Sequence, residues 1–296
     1  MDFNGIKSVI RRASKDTFIG ASKMLEDAIF ELDRTDLIEI ITEIGIIPED
    51  IGHDSTEEKV YTKASDILFA KALQEMGLQV QVLRERSDSA DIYAKSVYHS
   101  YSLVGDAKAF RLSRTAKNAK DFKVDAMRKW RGTNDFSVLT CPFFQYPKSQ
   151  SQVYNEALNG NVCLFSWEYL YVMLQCNKKE TENVSFRDIW DQSAIIAENT
   201  TLADSKKCFL KEQNNNSQSI LQINPTDFDS YFTLIKKKVV DRGLHEIDFY
   251  THEIERIRRL DRKTAISQLL TALKIESKIA TIKKTIEQME MENDDE

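Results

Sequence analysis

SADIYAKSVYHSYSLVGDAKAFRLSRTAKNAKDFKVDAMRKW, residues 89–130, carries the pattern on which the fold turns. It opens with two short apolar runs, each holding an acid: Ala90-Asp91-Ile92-Tyr93-Ala94, and Leu103-Val104-Gly105-Asp106-Ala107-Lys108. In a β-strand, residues two apart point to the same face, roughly 7 Å along the chain. Asp106 and Lys108 then stand side by side while Ala107 faces away. A hairpin turning near Tyr98 and His99 brings Asp91 across from Asp106. Two carboxylates and one ammonium converge from neighbouring strands.

That trio is what a Mg²⁺-dependent nuclease requires. Mg²⁺ takes hard oxygen ligands and is held by one or two carboxylates together with substrate phosphate. A nearby ammonium orients the attacking water and stabilises charge that builds on the phosphoryl group. An Asp, a gap of 14 residues and then Asp-x-Lys resembles the motif of PD-(D/E)xK nucleases, with Ala90 where the motif has proline. Asp-x-Lys alone also arises in a salt-bridged edge strand, so the pattern has to be weighed with its surroundings.

From Asp106 to Arg131 there are nine Lys or Arg against three Asp, a local +6 in a chain whose net charge is −6. Lys108, Arg111, Arg114, Lys117, Lys120 and Lys123 fall at every third position, a period that drifts round any single α-helix. The segment therefore reads as a strand end, a basic loop and a helix start laid along a phosphate backbone. A charge run is often only a solvated face. Here it begins at the lysine of the Asp-x-Lys itself, so metal site and polyanion site coincide.

Longer stretches carry a second, more specific likeness. Ser55-Thr56-Glu57-Glu58-Lys59, residues 106–124, Cys141-Pro142-Phe143-Phe144-Gln145-Tyr146-Pro147 and Phe165-Ser166-Trp167-Glu168 closely resemble the HindIII family of restriction endonucleases. The likeness runs through most of the chain, Thr264-Ala265-Ile266 to Lys278-Ile279 included, and thins between about 177 and 230. It implies a homodimeric, Mg²⁺-dependent type II endonuclease that cuts duplex AAGCTT and leaves 5′-phosphate ends with 5′ overhangs. A cognate DNA methyltransferase is the functional partner that such an enzyme implies.

The totals fit a large globular protein: 296 residues, 42% hydrophobic, three Trp, and only 9 Gly and 4 Pro, which favours helices over tight turns. An acidic net charge means that affinity for nucleic acid must come from a local patch. Cys141, Cys163, Cys176 and Cys208 form no CxxC pair, so neither a zinc knuckle nor a disulfide framework is indicated. With no signal-peptide profile and no apolar run of 18 residues, a cytoplasmic protein is expected.

Apolar spacing predicts helices over residues 15–34 and from Thr35 to Gly45, the latter followed by Pro48. Ser55 opens a third helix with a capping box, and Gly77 ends it. Within that box Glu58 is assigned to the cap. Glu57 points elsewhere; because nucleases of the PD-(D/E)xK class often borrow a glutamate from the helix before the catalytic sheet, it joins the catalytic candidates. Leu78–Val82, Phe136–Thr140 and Val162–Phe165 read as strands, and Trp167–Gln175 as a helix. Gln213-Asn214-Asn215-Asn216-Ser217 reads as an exposed loop, and 226–292 as charged helix. The whole is an α/β fold, a mixed central sheet flanked by helices. It divides into N-terminal helices (1–54), a catalytic core (55–176) and a mainly helical C-terminal region (177–296) packed on the core.

The expected roles follow. Asp91, Asp106 and the Ala107 carbonyl hold Mg²⁺, and Lys108 positions the water. Arg111, Arg114, Lys117, Asn118, Ala119, Lys120, Asp121 and Lys123 lie along DNA. Asp121-Phe122-Lys123 repeats the Asp-x-Lys pattern but lacks the preceding apolar run that would bury it as a strand. Asn118, ringed by lysines, has the amide that can pair with adenine N6 and N7, though an Asn in a turn would look the same. Two other readings remain open: a DNA-binding protein without catalysis on a nuclease fold, and a less specific repair or RNA-processing nuclease.

Overall fold

The computed structural model describes residues 1–83, 89–114, 119–147, 151–199 and 206–283. Four helices come first: α1 (Phe3–Ala13), α2 (Phe18–Phe30), α3 (Arg34–Ile44) and α4 (Thr56–Glu75). Strands β1 (Gln79–Val82), β2 (Ile92–Lys95) and β3 (Ser102–Ala107) follow; then α5 (Ala119–Phe122), α6 (Val124–Trp130), β4 (Phe136–Cys141), α7 (Gln152–Gly160), β5 (Val162–Ser166) and α8 (Trp167–Gln175). The C-terminal part is helical: α9 (Arg187–Trp190), α10 (Gln192–Asn199), α11 (Lys206–Leu221), α12 (Pro225–Arg258) and α13 (Arg262–Ala272).

The five strands form one sheet in chain order. β1 to β3 run as an antiparallel meander, whereas β3, β4 and β5 are parallel, their crossovers made by helices as parallel pairing demands. β3 is thus both the centre of the sheet and the seam between its two halves. Its alternation splits the core. Leu103 and Ala107 face the apolar layer that includes α4 and α8, while Val104 faces a second layer holding Phe122, Tyr154 and Phe209. With both faces covered, β4 and β5 are buried throughout.

Helix α4 lies directly on β3. The Ser55 hydroxyl accepts the Glu58 N–H at 3.1 Å, and Glu58 Oε2 accepts the Asp54 N–H at 2.6 Å, a capping box displaced by one residue. The helix ends at Gly77, whose φ of +96° suits glycine. Between these ends the chain from Val60 to Leu73 is buried almost all round, the mark of a helix inside a domain. Close approach is possible because β3 carries Gly105 at the contact. A Cβ there would meet Phe69 Cε1 at 2.7 Å and Ile92 Cγ1 at 2.8 Å.

One sequence expectation changes. Residues 213–217 are not a loop: they lie inside α11, with Gln213 and Ser217 fully buried, because their four-residue spacing continues the face of Phe209. The chain forms one compact unit spanning Met1–Leu244 and a second spanning His245–Glu296. Residues 177–244 therefore belong with the sheet, and Trp190, Phe209, Phe228 and Ile235 are buried there. Among the described residues of the second unit no large apolar side chain is buried; Ile247, Ile254, Ile257 and Leu269 are each at least half exposed. No helix of the described residues is long and apolar enough to cross a membrane.

Replacing Gly105 by valine should destabilise the protein by about 1–3 kcal/mol, the usual cost of overpacking a filled core. Urea denaturation monitored by circular dichroism measures it, and an unchanged midpoint would contradict the tight contact of α4 with β3.

Candidate active site

The hairpin register sets the site. β2 and β3 pair Lys95 with Ser102, Ala94 with Leu103, Tyr93 with Val104 and Ile92 with Gly105. One step further along the same ladder puts Asp91 opposite Asp106, and the Asp91 N–H donates to the Gly105 carbonyl at 3.1 Å. Asp106, only 2% exposed, receives a direct hydrogen bond from the Lys108 ammonium. The Lys108 backbone N–H donates to the Thr140 carbonyl of β4 at 2.7 Å. In a trans peptide the C=O points opposite to its N–H, so the Ala107 carbonyl is directed away from β4, toward the Asp91 side. Carboxylate oxygens of Asp91 and Asp106 thus meet at the hairpin end with the Ala107 carbonyl directed to the same side, hard-oxygen chemistry that could hold a Mg²⁺ ion.

Helix α4 adds two groups that sequence reasoning missed. Lys63 donates from Nζ to Asp91 Oδ1 at 3.2 Å and to the Leu83 carbonyl at 3.1 Å. Asp66 accepts the Ala107 N–H on Oδ1 at 2.9 Å, taking the place of a strand partner where β2 has ended. Both residues are buried. The signal was present: Lys59, Thr62, Lys63 and Asp66 lie at i, i+3, i+4 and i+7, a polar stripe on an otherwise buried helix. This stripe forms one wall of an open cleft of about 370 Å³ that holds Asp91, Asp106 and Lys108, with Phe18 and Lys123 at its borders.

The electrostatics follow from crowding. Burial pushes the Asp106 carboxyl above its ordinary value; Lys108 opposes that shift and the negative charge of Asp91 adds to it. Asp66 is pushed well up, first by burial and then by Asp91 and Asp106, against the pull of Lys63 and the Ala107 N–H. Burial would weaken the Lys108 ammonium, yet Asp106 holds its proton more firmly than usual. Three acids sharing one cleft favour an added cation.

Several expected site residues lie elsewhere. Glu57 does not reach the metal pocket: its Oε1 accepts from Arg11 Nε at 3.2 Å at the outer start of α4, one residue off the polar stripe. Arg111 is not a surface phosphate ligand. It is buried, with Glu58 Oε1 at 2.8 Å and the carbonyls of Pro48 and Ile51 at 2.9 and 2.8 Å, and it locks the loop before α4. Asp121 accepts an ion pair from Arg114 at 2.8 Å, and Arg114 stacks on Phe110. Ala119 and Lys120 begin α5, and exposed Lys123 borders the cleft. Lys117 and Asn118 lie outside the described residues. His53, Asp54 and Glu58 also gather ligand atoms within 4.8 Å of one another, but at the exposed start of α4, where Arg111 occupies Glu58.

A mixed sheet whose central strand ends in Asp-x-Lys, with a second aspartate across the hairpin and helices on both faces, is a PD-(D/E)xK restriction-endonuclease-like fold. The model of the HindIII restriction endonuclease family matches residues 3–286. The chain is 39% identical over 278 residues to the type II restriction enzyme HindIII of Haemophilus influenzae (strain ATCC 51907 / DSM 11121 / KW20 / Rd), covering 93% of this chain and 92% of that protein. The chain belongs to the HindIII restriction endonuclease family, and so to the hydrolases.

Arg111→Ala should cost about 3–5 kcal/mol of stability, because it removes a buried guanidinium that pairs with Glu58 and Glu49 and holds the carbonyls of Pro48 and Ile51. Chemical denaturation reads the loss. A fully stable variant with weakened DNA binding would restore Arg111 to the DNA surface.

Proposed function

We propose that this chain is a type II site-specific deoxyribonuclease that hydrolyses duplex DNA at the palindrome AAGCTT with Mg²⁺, leaving 5′-phosphates on 5′ overhangs. The observation that carries the reading is the convergence of Asp91, Asp106 and Lys108 at the end of the hairpin, in a chain similar over nearly its full length to a type II restriction enzyme. The enzyme acts as a homodimer, since two-fold protein symmetry matches a two-fold DNA site. The exposed apolar side chains of the second unit are surface of the kind a protein partner covers. It works in the cytoplasm beside a methyltransferase that protects the host's own sites.

Asp91, Asp106 and the Ala107 carbonyl would hold Mg²⁺, which when bound would supply Lewis-acid stabilisation of the charge developing on the scissile phosphate. The chain's own groups do the rest. Asp106 fixes Lys108 by their ion pair, and the Lys108 ammonium is aimed by its backbone bond to Thr140. From there it donates a hydrogen bond to the attacking water and orients it for in-line displacement. Asp66 keeps the Ala107 peptide from shifting by accepting its N–H. Lys123, at the border of the cleft, supplies a phosphate anchor, as do Arg114 and Lys120, and in sequence Lys117 belongs to the same basic run, with Asn118 beside it as the candidate base-reading amide.

Asp106→Asn should lower cleavage by on the order of a thousandfold or more while specific binding persists. Incubating wild type and variant with a plasmid and Mg²⁺ tests both. Discrete bands from the wild type and none from the variant support the reading. A smear from the wild type would indicate a nuclease of loose specificity, no products a binding protein without catalysis, and full cutting by the variant a different metal site.

A further inference from the structure

Lys63 has no place in the motif that defines the fold class, yet it reaches the heart of the site. It comes from α4, off the sheet, and is 7% exposed. Its ammonium contacts Asp91 Oδ1 at 3.2 Å, with the Leu83 carbonyl as a second anchor at 3.1 Å. Asp66, one turn further along α4, lies close enough to feel its charge. Asp66, Asp91 and Asp106 bring three carboxyl groups into the pocket, and Lys63 and Lys108 bring two ammonium groups. Each sheet carboxylate thus has its own ammonium: Lys108 for Asp106 and Lys63 for Asp91.

The two lysines are not equivalent. Lys108 sits two residues from its aspartate on the same strand, so their pairing is built into β3. Lys63 is held to Asp91 only by attraction, and its other contact, a neutral carbonyl, keeps it in place if Asp91 turns to another cation. An ammonium and a divalent ion bidding for one carboxylate oxygen repel each other at short range, and burial enlarges that repulsion.

We propose that Lys63 is a positioning residue of the metal pocket: its ammonium is the resident counter-ion of Asp91, and it yields that carboxylate oxygen when a divalent cation binds. Lys63 thereby sets how tightly the cation is held. It keeps the three acids from repelling one another in the empty site and leaves the metal weakly bound until substrate phosphate adds its own negative charge. This rests on Asp91 being a metal ligand.

The test is Mn²⁺ binding by the full-length protein without DNA, followed by electron paramagnetic resonance of the free ion. Lys63→Met should bind Mn²⁺ about tenfold or more tightly than wild type, and Lys63→Arg within about threefold of it. Lys63→Gln gives the same readout should the methionine variant fail to fold. A merely structural lysine would do the reverse, since its loss would loosen the ligands; unchanged or weaker binding in the neutral variants therefore overturns the proposal. Asp91→Asn separates the two levels of the argument. If Asp91→Asn loses Mn²⁺ binding while Lys63→Met matches wild type, only the counter-ion role fails. If Asp91→Asn binds Mn²⁺ like wild type, the metal site and the role of Lys63 fail together.

Discussion

Two aspartates held across from each other at the end of a β-hairpin repel, and the rest of the molecule is arranged to keep them there. The ladder of β2 and β3 is what forces Asp91 and Asp106 together. Asp91 has its backbone tied to Gly105 and its carboxylate paired with Lys63, and Asp106 is enclosed. Such an arrangement is costly unless cations accompany it. Lys108 and Lys63 supply that charge from the protein, and on the proposed function a divalent ion with its substrate phosphate would complete it.

Helix α4 is the second determinant. It packs on β3 at Gly105, and from that position Lys63 and Asp66 reach the hairpin end. Arg111 fixes the approach to α4 by joining Glu58 of the cap to the preceding loop. The same residues that stabilise the helix start therefore place the wall of the cleft formed by α4. Stability and chemistry are linked through one element.

The hairpin was legible because its geometry depends only on counting: the pairing of 91 with 106 follows once the turn is put at 98 and 99. Strands β4 and β5 and helix α8 were legible from apolar runs, and the ends of α4 from its capping box and Gly77. What could not be counted was direction. Glu57 and Asp66 are both acids on α4, and which of them faces the sheet depends on how the helix is rotated against β3. Arg111 stood in a regular row of cations, but the chain turns inward after β3, so regular spacing did not mean a common surface. The polar run at 213–217 was misread because composition outweighed its helical spacing, and Gln213 and Ser217 are buried despite their polarity.

The central claim is that the metal lies between the two strands of the hairpin. Crystals soaked in Mn²⁺ and measured at the manganese absorption edge test it most directly. The account predicts an anomalous peak bounded by the carboxylates of Asp91 and Asp106 and the carbonyl of Ala107. A peak held instead by His53, Asp54 and Glu58, with none at the hairpin, would contradict it.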